Sequence, residues 1–73
     1  METYFTYGEA MALVGKKVNR IDGVKGEIKH VDVNLPRFKA TTKHCFMVLI
    51  LWDDVDKSYP YDKQRYSRMV NVI

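Results

Sequence analysis

The feature that most constrains this chain is the uninterrupted apolar run from Cys45 to Trp52. Eight residues are too few for a membrane helix, which needs about 20. Bounded by polar residues and rich in β-branched and aromatic types, the run predicts a buried strand. Strand alternation puts Phe46, Val48, Ile50 and Trp52 on one face and Cys45, Met47, Leu49 and Leu51 on the other. Both faces are apolar, whereas a strand of a small antiparallel domain ordinarily turns one face to the core and the other to water. The second face therefore calls for a cover, and the two candidates are an N-terminal helix and a second copy of the chain. The remaining 65 of 73 residues leave room for one core, so residues 1–73 are expected to form a single domain. A core of this size supplies only about 3 to 5 kcal/mol of net stability.

The rest of the chain reads as one helix and about five strands. Thr6 and Glu9 have the spacing of a capping box, and Phe5 and Ala10 that of a hydrophobic staple. These signals predict a helix over 7–14 that Gly15 closes in the left-handed conformation. Val18 and Ile21 then lead into Asp22-Gly23, a dipeptide suited to a type I′ hairpin turn, with Val24 to Val33 as the return strand. Ile28 is out of step with Val31 and Val33, which predicts a bulge near Lys29 and His30. Asn34-Leu35-Pro36 ends that strand, and Arg37 to Lys43 reads as a basic loop containing Phe38. Beyond the apolar run, Asp53-Asp54 reads as a turn and Lys57 to Tyr61 as a short strand. Asp62 to Arg68 is expected to form a turn or helical turn, and Met69 to Ile73 a last strand.

Gly15-Lys16-Lys17-Val18, followed by Gly23-Val24-Lys25-Gly26-Glu27-Ile28-Lys29-His30-Val31-Asp32, resembles a KOW motif, the signature of SH3-like barrels in ribosomal proteins and transcription elongation factors. Val48-Leu49-Ile50-Leu51-Trp52-Asp53-Asp54 is similar to the middle strand of KOW and Tudor-like barrels. The resemblance spans Gly15 to about Asp54, with Met69 to Ile73 as the closing strand. It implies a mainly β fold: a five-stranded SH3-like barrel over residues 16–73 with the helix as an addition, and Gly26 where a side chain would clash. Asn34 to His44 is longer than the motif's usual connection. The resemblance transfers no catalytic residue. The chain also resembles small phage or mobile-element proteins.

Charge is distributed unevenly along the chain. The net charge of +3 combines an acidic start, a +5 segment over residues 15–43 and a neutral remainder. Lys16, Lys17, Arg20, Lys25, Lys29, Arg37, Lys39 and Lys43 supply that basic middle. Gathered on one face of a barrel they would neutralise nucleic-acid phosphates, and Phe38 would stack on an unpaired base; the structural alternative is that they solvate exposed strand faces. A nucleic acid is thus the expected partner. A host protein is the other partner class, engaged through Asp53, Asp54, Tyr59, Tyr61 and Tyr66 or a strand edge. A homodimer sealed through Cys45, Met47, Leu49 and Leu51 is compatible with either.

Other chemistry finds little support in the sequence. Asp54, Asp56 and Ser58 start like a calcium loop, but Tyr59 stands where the glycine belongs and Arg65 where the bidentate glutamate belongs. His30, His44 and Cys45 fall short of the four ligands of a structural zinc site. Cys45 with either histidine as base lacks an orienting third group. The chain contains no phosphate loop or dinucleotide fingerprint, so a non-catalytic module with no metal and no cofactor is expected. One cysteine cannot form an internal disulfide, and Met1-Glu2-Thr3-Tyr4 lacks the pattern of a secretory signal. Both points predict a cytoplasmic protein, in the host cytoplasm if phage-encoded.

Overall fold

A computed structural model describes residues 3–33 and 44–72. Helix α1 spans Tyr7–Leu13 and starts at its capping box. The Thr6 hydroxyl accepts from the Glu9 N–H at 3.1 Å while the Glu9 carboxylate accepts from the Thr6 N–H at 3.0 Å. Val14 is the C-cap rather than the last helical residue, and Gly15 follows at φ 90°. Five strands come next: β1 (Lys17–Arg20), β2 (Lys25–Val33), β3 (Phe46–Trp52), β4 (Tyr59–Tyr61) and, after a second helix α2 (Lys63–Met69), β5 (Val70–Val72). All pairings are antiparallel and the sheet order is β4-β3-β2-β1-β5. The last strand thus returns to pair with the first, which curls the sheet into a half-barrel.

The turn between β1 and β2 differs from the expected type I′. Asp22 does not adopt a positive φ, and Gly23 alone in the turn does, at 95°. Gly23 N–H donates to the Arg20 carbonyl at 2.9 Å and Arg20 N–H to the Val24 carbonyl at 2.7 Å. Ile21, Asp22 and Gly23 therefore form a three-residue loop, a type of hairpin in which the left-handed residue comes last. The Asp22 carboxylate accepts from the Val24 N–H and from Arg20, contacts that hold Asp22 outside the left-handed region.

The bulge falls where the broken alternation predicts it. Ile28 pairs with Ile50 and His30 with Leu49, leaving Lys29 as the extra residue. The inserted residue changes the parity of β2, so Ile28 and Val31 both lie opposite inward-facing residues of β3, Ile50 and Val48.

The core consists of Val18, Ile28, Val48, Ile50 and Trp52, closed by Phe5, Ala10, Tyr61 and Val70. Ala10 is fully buried in this cluster, so α1 covers the face of β3 that carries Val48, Ile50 and Trp52. It does not cover the second apolar face, as one sequence-based alternative had it. Met47, Leu49 and Leu51 remain half-buried there, sharing the outer sheet face with Asp32, Pro60 and Glu27, their cross-strand partners. Cys45 is buried outside the main cluster.

Gly26 is needed for this packing. It pairs with both Val18 and Trp52, and a Cβ built on it would lie 2.6 Å from Trp52 Cε3 and 2.7 Å from the Leu51 carbonyl oxygen. The backbone oxygen cannot swing aside, so Gly26→Ala should cost about 2 to 3 kcal/mol through overpacking. Urea unfolding should show a lowered midpoint with an unchanged slope; a midpoint equal to the parent's would contradict the contact.

Candidate nucleic-acid interface

The β1–β2 hairpin and the end of β3 bring three of the sequence-predicted lysines together. Lys17 on β1, Glu27 on β2 and Leu51 on β3 are cross-strand neighbours on the outer face. An open groove of about 600 Å³ runs there, lined by Lys17, Lys25, Lys29 and Glu27 together with Leu51 and Val55. Glu27 lies between two of the cations, with Lys17 Nζ at 3.2 Å and Lys29 Nζ at 3.4 Å from the same carboxylate oxygen. Lys17, followed by Lys29, holds the Glu27 carboxyl below its ordinary 4.5. Lys25 lines the groove with no carboxylate within ion-pair reach among the described residues. Lys16, also exposed, directly precedes β1.

Arg20 is placed differently from the lysines. Its guanidinium donates to Asp22 through Nε and Nη2, both at 2.9 Å, and to Asp54 at 3.0 Å. It also lies 5.3 Å from the centroid of the Trp52 ring. The Asp22 carboxylate, followed by that of Asp54, raises its pKa further above the ordinary arginine value. In this setting Arg20 joins the hairpin to the Asp53-Asp54 turn and covers Trp52. Arg37, Phe38, Lys39 and Lys43 lie outside the described residues.

The tyrosines proposed for protein docking are also separated by the fold. Tyr61 is 5% exposed, and its hydroxyl accepts the Trp52 Nε1–H at 3.0 Å. Tyr66 is half-buried and packs edge-on against Phe5, with burial raising its pKa above the ordinary 10.0. Tyr59 is exposed, with the Lys57 ammonium 5.7 Å from its ring centroid. Asp53 is exposed and borders the groove, whereas Asp54 is paired with Arg20. Among the described residues no group of three or more His, Cys, Asp or Glu forms a metal-binding cluster. No helix there is long and apolar enough to cross a membrane.

Sequence reasoning did not separate Arg20 from the lysines, because Asp54 lies 34 residues away. It also missed the basic residues of α2. Lys63 pairs with Glu9 of α1 at 3.2 Å, and Arg65 lies over the Tyr61 ring at 5.1 Å. The i to i+3 spacing of Arg65 and Arg68 was a signal that could have found them, once the segment was read as a helix. The chain matches no protein-family model, no curated protein and no solved structure.

Two measurements check this assignment. Tyr61→Phe leaves the buried indole N–H without its acceptor and should cost about 1 to 2 kcal/mol, whereas Tyr59→Phe should leave the urea midpoint within error; equal effects would refute the division. The second measurement is acid stability. Arg20 lowers the Asp22 carboxyl below 3.8, Lys17 and Lys29 lower Glu27 below 4.5, and the Thr6 N–H with Lys63 lowers Glu9 below 4.5. A carboxylate whose folded pKa is depressed stabilises the fold above its unfolded pKa, and this contribution disappears as pH falls through the folded value. The urea midpoint should therefore decline as pH drops below the 3.8 to 4.5 range, and decline less in Arg20→Gln than in the parent. An equal decline in the two proteins would contradict the Arg20–Asp22 contribution.

Proposed function

We propose that the protein is a non-catalytic nucleic-acid-binding module whose curled sheet is an SH3-like barrel of the KOW/Tudor type, and whose outer face holds the phosphate backbone. The observation that carries this reading is the convergence of Lys17, Lys25 and Lys29 on one open groove beside Leu51 and Val55. Three ammonium groups in the groove would neutralise phosphates and release the counterions condensed on the nucleic acid. Glu27 spaces Lys17 and Lys29 on either side of one oxygen, so both are already aligned along the groove when the ligand arrives. Trp52 borders the groove but is only 1% exposed, which leaves little ring surface for a base and favours contact with the backbone over recognition of sequence.

The KOW resemblance supports the same reading. Gly26, part of the matched run, occupies a position that excludes a side chain, and the curled five-stranded order sets the last strand beside the first, where the resemblance puts its closing strand. A protein partner docking on the tyrosines has less to engage, since Tyr61 is buried and Asp54 is paired with Arg20.

Affinity for a mixed-sequence duplex should fall steeply with salt. Three phosphate contacts at a slope of about −0.9 each correspond to roughly a 40-fold loss between about 50 and 200 mM salt. Lys25→Glu with Lys29→Glu should remove most of this affinity while leaving the urea midpoint near the parent's. Undetectable binding at about 20 mM salt, or a charge-reversed protein that binds like the parent, would refute the proposal.

A further inference from the structure

A second group of cations lies on the opposite side of the sheet. Tyr59 and Tyr61 pair with Ile50 and Val48, residues of the inner face, whereas the groove's Lys17, Glu27 and Leu51 are on the outer face. Over these two rings lie Lys57, 5.7 Å from the Tyr59 centroid, and Arg65, 5.1 Å from that of Tyr61. Arg68 follows Arg65 by three positions on α2, a spacing that places both on one helix face, and both are exposed. The nearby Asp62 carboxylate caps α2 by accepting from the Arg65 backbone N–H at 2.7 Å.

Lys57, Arg65 and Arg68 share with Lys25 the lack of a carboxylate partner among the described residues. Lys17, Lys29, Arg20 and Lys63 each hold a carboxylate, while among the described residues Lys57, Arg65 and Arg68 hold none within ion-pair reach. Stacking on an aromatic ring restricts a long cationic side chain in advance, which reduces the ordering cost of binding. The planar guanidinium also offers parallel donors that suit phosphate oxygens. We infer that the α2–β4 face, through Arg65, Arg68 and Lys57, is a second nucleic-acid surface that contacts backbone phosphates. Because it lies across the sheet from the groove, one molecule can hold two duplexes. This assignment goes beyond the groove reading and stands on separate residues.

The test mixes two duplexes of about 20 base pairs, labelled with donor and acceptor dyes, and follows energy transfer at low salt, with anisotropy of one duplex measured in parallel. The parent should bring the duplexes together, and Arg65→Glu with Arg68→Glu should abolish transfer while single-duplex binding through the groove persists. Lys57→Glu with Arg68→Glu leaves Arg65 on Tyr61 and should have the same effect, which separates lost contact from lost folding. Full transfer in both double variants would overturn the inference, as would a parent that binds one duplex but never two. Displacement of the duplex from the α2–β4 face by polyglutamate at lower concentration than by unlabelled duplex would also overturn it, assigning the face to an acidic polypeptide. If Lys25→Glu with Lys29→Glu binds like the parent while the Arg65/Arg68 variant binds nothing, the groove reading fails and the α2–β4 assignment stands.

Discussion

The close approach of Trp52 to Gly26 is the constraint on which the rest of the structure depends. Only a residue without a Cβ leaves room for the indole to lie across β2, and that position lets one large side chain join several distant parts of the chain. Its N–H anchors Tyr61 on β4, its ring carries Arg20 from β1, and Arg20 in turn fixes the Asp22 loop and Asp54 beyond β3. A domain of this size has few buried contacts available. Linking β1, β2, β3 and β4 through one side chain is an economical way to specify how the sheet curls.

The same arrangement determines which charges remain available to a ligand. Arg20 is consumed in stabilising the end of the curled sheet, and Glu27 moderates Lys17 and Lys29 without hiding them, since Lys17 retains 69% side-chain exposure. The groove is consequently less basic than the count of lysines along the hairpin suggests. The α2–β4 cations, by contrast, belong to a segment whose formal charge is balanced but three of whose four acids are engaged or placed elsewhere, the fourth being the exposed Asp56 beside Lys57. Asp54 holds Arg20, Asp62 caps α2, and Asp53 lies at the groove. Local charge pairing, rather than segment net charge, decides where an anion can bind.

Much of the fold was legible because its signals are short-range. Thr6 and Glu9 fix the start of α1 through contacts three residues apart, and the broken parity of Ile28 against Val31 located the bulge. The Asp22-Gly23 turn was misjudged because Arg20 and Val24 bind the Asp22 carboxylate and favour a longer loop. The cover for β3 was misplaced for a related reason. Alternation shows that two faces are apolar, but only packing decides that Ala10 joins Val48 and Ile50. At the candidate site, the place of Lys17, Lys25 and Lys29 on the first hairpin was legible because the hairpin's own signals are local. The roles of Arg20 and Tyr61 were not, since each depends on a partner brought close by the sheet rather than by the sequence.

The central claim is that the outer-face groove receives the nucleic-acid backbone. Amide chemical-shift mapping of the isotope-labelled protein during titration with a short duplex tests it most directly, because it reports position as well as binding. The account predicts saturable shifts at Lys17, from Lys25 to Lys29, and at Leu51 and Asp53. Saturable binding that leaves those amides unshifted would contradict it.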